Sequence, residues 1–348
     1  MAALRLAKRR STAVALTLLT LSLALLECSG PGQGSGVDLI TPSRAAKVVH
    51  DYWSVNEQAL MTYNTGLFGK VQASPLLDSQ MADVKAARAA GDPALKSARP
   101  LTKVTTYVPH QQGYPAEFVA LVETVKVDAS GTPTNDAIGF YYRFGRLSED
   151  ASWKANFYVL ASLDQPSRIT VGRDGFATML PAGDSSYVVD PKQMPGSLAR
   201  YLNSGISSGS PEGPFAPGHL TTDAVTSLRR YRDSMAKLGY AVDVKYQPAQ
   251  FFDAYKGVDG RAVVLFNLQS LNKIAVPDGV HCIVQPSDNL HRWGGLVPPG
   301  SYSQLVEGRL LQFIATDPEK KAGTAIDVPA YVETQISAAT SPADPACH

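Results

Sequence analysis

Apolar residues recur at near-helical spacing soon after residue 42. Ala45, Val49, Tyr52, Ala59 and Tyr63 form one stripe, and Ser43 is placed to cap it. Ser74-Pro75 opens a second helix through Leu77, Met81, Val84 and Ala87, which Gly91-Asp92-Pro93 ends. The pattern then changes from helical to extended. Thr102–Val108, Glu117–Val127, Ala137–Leu147 and Lys154–Leu163 are rich in Tyr, Phe, Val and Thr, with turn residues such as Gly131-Thr132-Pro133 between them. They predict four strands. Pro181–Pro217 is dense in Gly, Ser and Pro and reads as a linker with a few short strands at its start. Beyond it, Thr222 caps a helix with Val225, Leu228, Met235 and Leu238 on one face, and Gly239 stands where a C-terminal glycine belongs. Val242, Val244 and Tyr246 alternate with polar residues, and Arg261–Val276, Tyr302–Thr316 and Ala325–Ile336 complete a second set of strands.

Both halves therefore place helices first and an antiparallel meander after them. The expected fold class is α+β, with two domains, 42–180 and 218–348, joined by the linker 181–217. In each domain helices pack on a curved, cone-like antiparallel sheet. A Trp (Trp153, Trp293) precedes a strand in each half. The phrases Val159-Leu160-Ala161-Ser162-Leu163-Asp164 and Phe313-Ile314-Ala315-Thr316-Asp317 are alike, which leaves internal duplication open.

The start of the chain has a different character. Arg5, Lys8, Arg9 and Arg10 precede an apolar run from Ser11 to Leu26, and a Gly/Ser-rich stretch follows. A basic segment, an apolar segment and a flexible exit form the pattern of an export signal over residues 1–28. The run falls short of the ~20 residues that a spanning helix needs. Cys28 sits where a lipoprotein signal carries its acylated cysteine, and 29–41 reads as a tether. Leu26-Glu27 are not the small residues that usually precede such a cysteine, so lipid anchoring to the cell membrane and secretion both stand as destinations. A diacylglyceryl group on Cys28 would supply two buried chains, enough for stable anchoring.

Removing residues 1–27 takes away four basic residues and one acidic one, leaving 28 Lys and Arg against 30 Asp and Glu. That balance gives no electrostatic footprint for nucleic acid. Outside the cytoplasm the remaining thiols, Cys282 and Cys347, read as a disulfide. No metal is expected. His281 and Cys282 are adjacent, so on a strand they face opposite ways, and neither C-x-x-C nor H-E-x-x-H occurs.

Tyr114-Pro115-Ala116-Glu117-Phe118-Val119-Ala120 and Trp293-Gly294-Gly295-Leu296-Val297-Pro298-Pro299-Gly300 resemble segments of a family of uncharacterised actinobacterial lipoproteins built on a domain of unknown function. The arrangement of elements also resembles the cone-shaped α+β fold of nuclear transport factor 2, ketosteroid isomerase and the polyketide cyclases. The resemblance implies a fold and brings no reaction with it.

Three motifs are set aside. Gly205-Ile206-Ser207-Ser208-Gly209 matches G-x-S-x-G but lacks the strand and helix that frame a hydrolase nucleophile. Ser270-Leu271-Asn272-Lys273 and Ser287-Asp288-Asn289 match parts of the penicillin-binding signature, yet on a strand Ser270 and Lys273 face opposite sides. His110 and His291 read as loop residues. In a cone-type pocket, Asp51, Tyr52, Tyr63, Asp78, Tyr141 and Tyr142 would be the groups to consider, although the favoured reading packs Tyr52 and Tyr63 in the core and leaves Asp51 and Asp78 in solvent. No residue is assigned a catalytic role, and no cofactor is expected. The expected function is that of a non-catalytic binding or structural module of the cell envelope. It would meet the membrane through its lipid and an envelope protein or cell-wall partner through a surface of Tyr52, Trp53, Tyr142, His291 and Trp293. The alternative is a small-molecule carrier or weak enzyme that uses a pocket between helix and sheet.

Overall fold

Thr41 Oγ1 accepts from the Arg44 amide (3.4 Å) and Pro42 fills the first helical position. Helix α1 (Pro42–Thr62) therefore starts slightly earlier than Ser43 suggests. The computed structural model describes residues 38–161, 163, 169–276, 283–285, 296 and 300–341. Cys28, Cys282, His291, Trp293 and Cys347, and with them the lipidation site and the expected disulfide, lie outside the described residues. After α1 come α2 (Thr65–Val71) and α3 (Leu76–Ala90), then β1 (Leu101–Tyr107), β2 (Ala116–Val127), β3 (Pro133–Arg146) and β4 (Lys154–Ala161). The second half holds α4 (Met194–Ser208), α5 (Thr222–Lys237), β5 (Ala241–Lys256), β6 (Ala262–Ala275), β7 (Ile283–Gln285), β8 (Gly300–Tyr302), β9 (Gln304–Asp317) and β10 (Asp327–Thr340). Among the described residues, no helix is long and apolar enough to cross a membrane.

The fold is α+β, with two four-stranded antiparallel sheets. The first runs β1-β2-β3-β4 and the second β10-β9-β6-β5, while β7 and β8 pair antiparallel in a small sheet of their own. The two similar phrases do not occupy matching places. Val159-Leu160-Ala161 lies on the fourth strand of its sheet, whereas Phe313-Ile314-Ala315 lies on the third.

Both faces of each sheet carry buried core residues. On the first sheet, Phe118, Ala120, Val122, Phe140, Tyr142 and Phe144 pack against Ala45, Val49, Tyr52 and Trp53 of α1. Its opposite face presents Tyr107, Val119, Leu121, Tyr141, Phe157 and Val159. These meet Phe252, Tyr255, Val263, Leu265 and Ile314 of the second sheet. The outer face of the second sheet, with Phe266, Leu268, Leu311 and Phe313, packs on Leu198, Tyr201 and Leu202 of α4 and Val225 of α5. The layers run helix, sheet, sheet, helix. The described residues form one compact unit. Ala177 N donates to Val108 O (2.7 Å) and Leu180 N to Ala254 O (2.8 Å), so one segment stitches the two sheets together.

The two halves, expected as two domains, share a core between their sheets. A sheet with one buried face shows alternation, whereas Ala116–Leu121 and Ala262–Leu268 are nearly continuous apolar runs. Such runs belong to strands covered on both sides. Segment 181–217 needs a correction, because it holds α4 rather than only a linker. Met194, Leu198, Tyr201 and Leu202 keep helical spacing beneath the Gly, Ser and Pro content and are buried. Pro195 falls in the first turn, where its missing amide costs nothing. Gly205 lets α5 come close, since a Cβ there would lie 2.8 Å from both methyls of Val225.

An ion cluster sits where the sheets meet. Arg143 of β3 donates through Nε to Asp253 Oδ2 of β5 (2.5 Å), through NH2 to Glu117 of β2, and through NH1 to Asn156 Oδ1 (3.2 Å). Burial, with the Asp253 charge beside it, pushes the Glu117 carboxyl well above the carboxylate range, against the pull of Arg143.

Candidate functional site

The outer face of the second sheet is not uniformly apolar. Toward one end Phe266, Leu268, Leu311 and Phe313 form the main core, and toward the other Ile274 and Leu305 form a smaller one with Val242, Met235 and Tyr240. Between them runs a polar band. Strand register sets Tyr246 opposite Ser270, Ser270 opposite Arg309, and Arg309 opposite Gln335. The next row sets Val244, Asn272 and Glu307 side by side. Helix α5 spans both apolar clusters, with Val225 on one and Met235 beside the other, and it bridges over the band.

Between α5 and the band lies a cavity of about 220 Å³. Asp223, Ala224, Ser227 and Leu228 of α5 form its roof, with His219 and Leu220 just before the helix. Its walls and floor are Tyr246, Ser270, Asn272, Arg309, Phe313, Tyr331 and Glu333. The floor is wired by charge. Arg309 NH1 donates to Glu333 Oε1 (2.5 Å) and NH2 donates to Glu307 Oε2 (3.0 Å). Glu307, 2% exposed, also accepts from Asn272 Nδ2 (3.0 Å). Burial works against the Arg309 charge, but Glu333 and Glu307 outweigh it and raise its pKa further. Burial raises the Tyr246 and Tyr331 hydroxyls above their ordinary value, with Glu333 adding to the effect. Both therefore stay neutral and offer hydrogen bonds.

Two polar atoms of this network have no partner, the acceptor Asn272 Oδ1 and the donor Arg309 Nε. An unmet buried polar atom costs about 1–3 kcal/mol. A charged band across an otherwise apolar sheet face is therefore expensive as structure alone. The arrangement sets apolar surface beside a few convergent polar groups, the chemistry that small-molecule pockets share.

The residues expected to form a contact surface lie elsewhere. Tyr52, Trp53 and Tyr142 are 3%, 5% and 4% exposed, in the core between α1 and the first sheet. Adjacent residues on a helix differ by about 100° and both can face a broad sheet. Tyr52 packs edge-on against Tyr142 (5.1 Å), and Trp53 Nε1 donates to the Arg99 carbonyl (2.9 Å). Alternation along β3 sends Tyr142 toward the helices and Tyr141 into the space between sheets. Asp51 and Asp78 are exposed, and Asp51 pairs with Lys47 (2.7 Å). His110 is held between Asp38 (2.9 Å) and Asp174 (3.0 Å).

Ser207 lies in the last turn of α4 and donates back to Asn203 O and Ser204 O (both 3.0 Å), the geometry of a helix end. Ser270 is buried while Lys273 is exposed, as opposite faces of β6 require. Ser287-Asp288-Asn289 lies outside the described residues. The polar band itself escaped the sequence reading, although it was legible. Alternate residues of β6 read Phe266, Leu268, Ser270, Asn272, Ile274, and those of β9 read Leu305, Glu307, Arg309, Leu311, Phe313. In both strands the inward series turns polar at matched positions.

Residues 37–340 match the family model described as a domain of unknown function (DUF8094), and the chain belongs to that family. Neither a curated protein nor a solved structure matches it.

Proposed function

Starting from membership of a family that carries no assigned activity, we propose that the protein is exported, anchored through lipid on Cys28, and binds a small molecule in the cavity beneath α5. The cavity carries this reading, because apolar walls and a converging polar floor lie under one helix. Its volume falls below the ~300–1,000 Å³ of drug-sized pockets, which favours a small ligand. Export and anchoring rest on the basic-then-apolar leader and the position of Cys28. The comparison of each half with a cone-like domain, and of the halves with each other, is supported by their shared order of helices before a four-stranded meander.

Binding of a macromolecular partner has less support from the described surface. Its large exposed apolar residues, including Leu147, Leu160, Leu238, Val258 and Leu271, come from separate elements. Three of the expected anchors are in the core. The partner reading then rests on His291 and Trp293.

Native mass spectrometry of the full protein tests the leading reading. Wild-type protein should retain a small-molecule adduct, or be stabilised by members of a metabolite library. Ser227→Trp, which fills the cavity from the exposed side of α5, should abolish either effect. Wild type that carries no adduct and responds to no metabolite, or Ser227→Trp that retains the response, overturns the reading. Intact mass of the membrane-extracted protein tests anchoring, and a chain unmodified at Cys28 refutes it.

A further inference from the structure

We infer that the cavity beneath α5 takes a small organic cation, an ammonium group carried on an apolar body. This inference rests on the ligand-binding reading above. The charges around the space decide the sign. Glu333 and Asp223 are acidic lining residues, Arg309 is the single Lys or Arg among the described lining residues, and buried Glu307 stands behind Arg309. Arg309 is already committed, because its two terminal nitrogens are bonded to Glu333 and Glu307. Its remaining nitrogen, Nε, is buried and unpaired. An anion entering here would meet Asp223 and Glu333, with only the buried Nε of Arg309 left to receive it. A cation would meet the same carboxylates as partners. Asn272 is 7% exposed, lines the cavity and carries an acceptor with no donor. Its amide orientation is set from behind, since Nδ2 must face Glu307. The walls suit the same guest. Tyr246, Phe313 and Tyr331 offer aromatic surface, with Phe313 and Tyr331 stacked at 5.9 Å, and aromatic faces attract an ammonium. Leu202, Leu220 and Leu228 leave room for an apolar body.

The test uses three probes that share one phenyl body: benzylammonium, benzyl alcohol and benzoate. Each is titrated calorimetrically into the full processed protein at low salt. The ammonium probe should bind at least about tenfold tighter than the other two. Glu333→Gln should erase most of that preference. Asp223→Asn, an exposed change at the start of α5 that leaves the Arg309 network whole, should reduce it and guards against misfolding of the first variant. Ser227→Trp should block all three probes. If benzoate or benzyl alcohol binds as well as the ammonium and Ser227→Trp blocks it, the cavity is a ligand site and the cation inference fails alone. If no probe binds and Ser227→Trp changes nothing, both fail. A preference for the ammonium that survives Glu333→Gln and Asp223→Asn together also overturns the inference.

Discussion

Arg143 shows how much can turn on one residue. A single guanidinium at the seam of two sheets serves two carboxylates, Glu117 and Asp253, and lies over the Phe252 ring (5.2 Å). Replacing it by Met would leave two buried acids unmatched, and loss of one member of such a cluster costs about 3–5 kcal/mol. Urea denaturation of Arg143→Met should show a loss of that size. Glu117 adds a pH dependence whose sign follows from its raised pKa. Above the ordinary carboxylate range the unfolded chain gives up the Glu117 proton while the native state still holds it. The native state then binds more protons, so stability falls as pH rises through that interval toward the raised pKa. Glu117→Gln should flatten this slope in urea midpoints measured across pH, and an unchanged slope would assign it to other groups. No feature of the sequence marked this cluster. Arg143 and Asp253 are 110 positions apart, and only packing brings them together.

At the scale of the element, most helices and strands were legible because their periods are clean. Strands β1 to β4 and β6 fall within a few residues of the predicted runs. Helix α4 was hidden because composition argued for a loop while spacing argued for a helix, and the spacing prevailed through burial against the second sheet. Its Gly205 is a contact residue for α5. Gly205→Ala should cost about 1–3 kcal/mol from overpacking against Val225. In the double variant with Val225→Ala part of that loss should return, and a double-mutant cycle in urea measures the coupling. Strict additivity would show that the helices relax apart at no cost. The same substitution bears on the cavity, since α5 roofs it and its distance from β6 and β9 sets the space inside.

At the scale of the molecule, the joined sheets predict one cooperative unfolding transition. The shared core between them includes Tyr141, Phe157, Tyr255, Leu265 and Ile314, none of which stays covered if either half unfolds alone. Scanning calorimetry of the full protein should give equal calorimetric and van't Hoff enthalpies, and two resolved transitions would refute a shared core. Local pattern by itself determined most of the element types and the helices-then-meander order of each half, because each depends on neighbours within a few turns of chain. The inward turn to polar residues in β6 and β9 was also written there. Only the tertiary structure decided that the sheets would pack face to face, that Tyr52, Trp53 and Tyr142 would be core residues, and that Glu307, Arg309 and Glu333 would meet beneath α5. The physical reason is that burial and charge pairing belong to surfaces brought together from distant positions, and a strand's period states which residues share a face without stating what covers it.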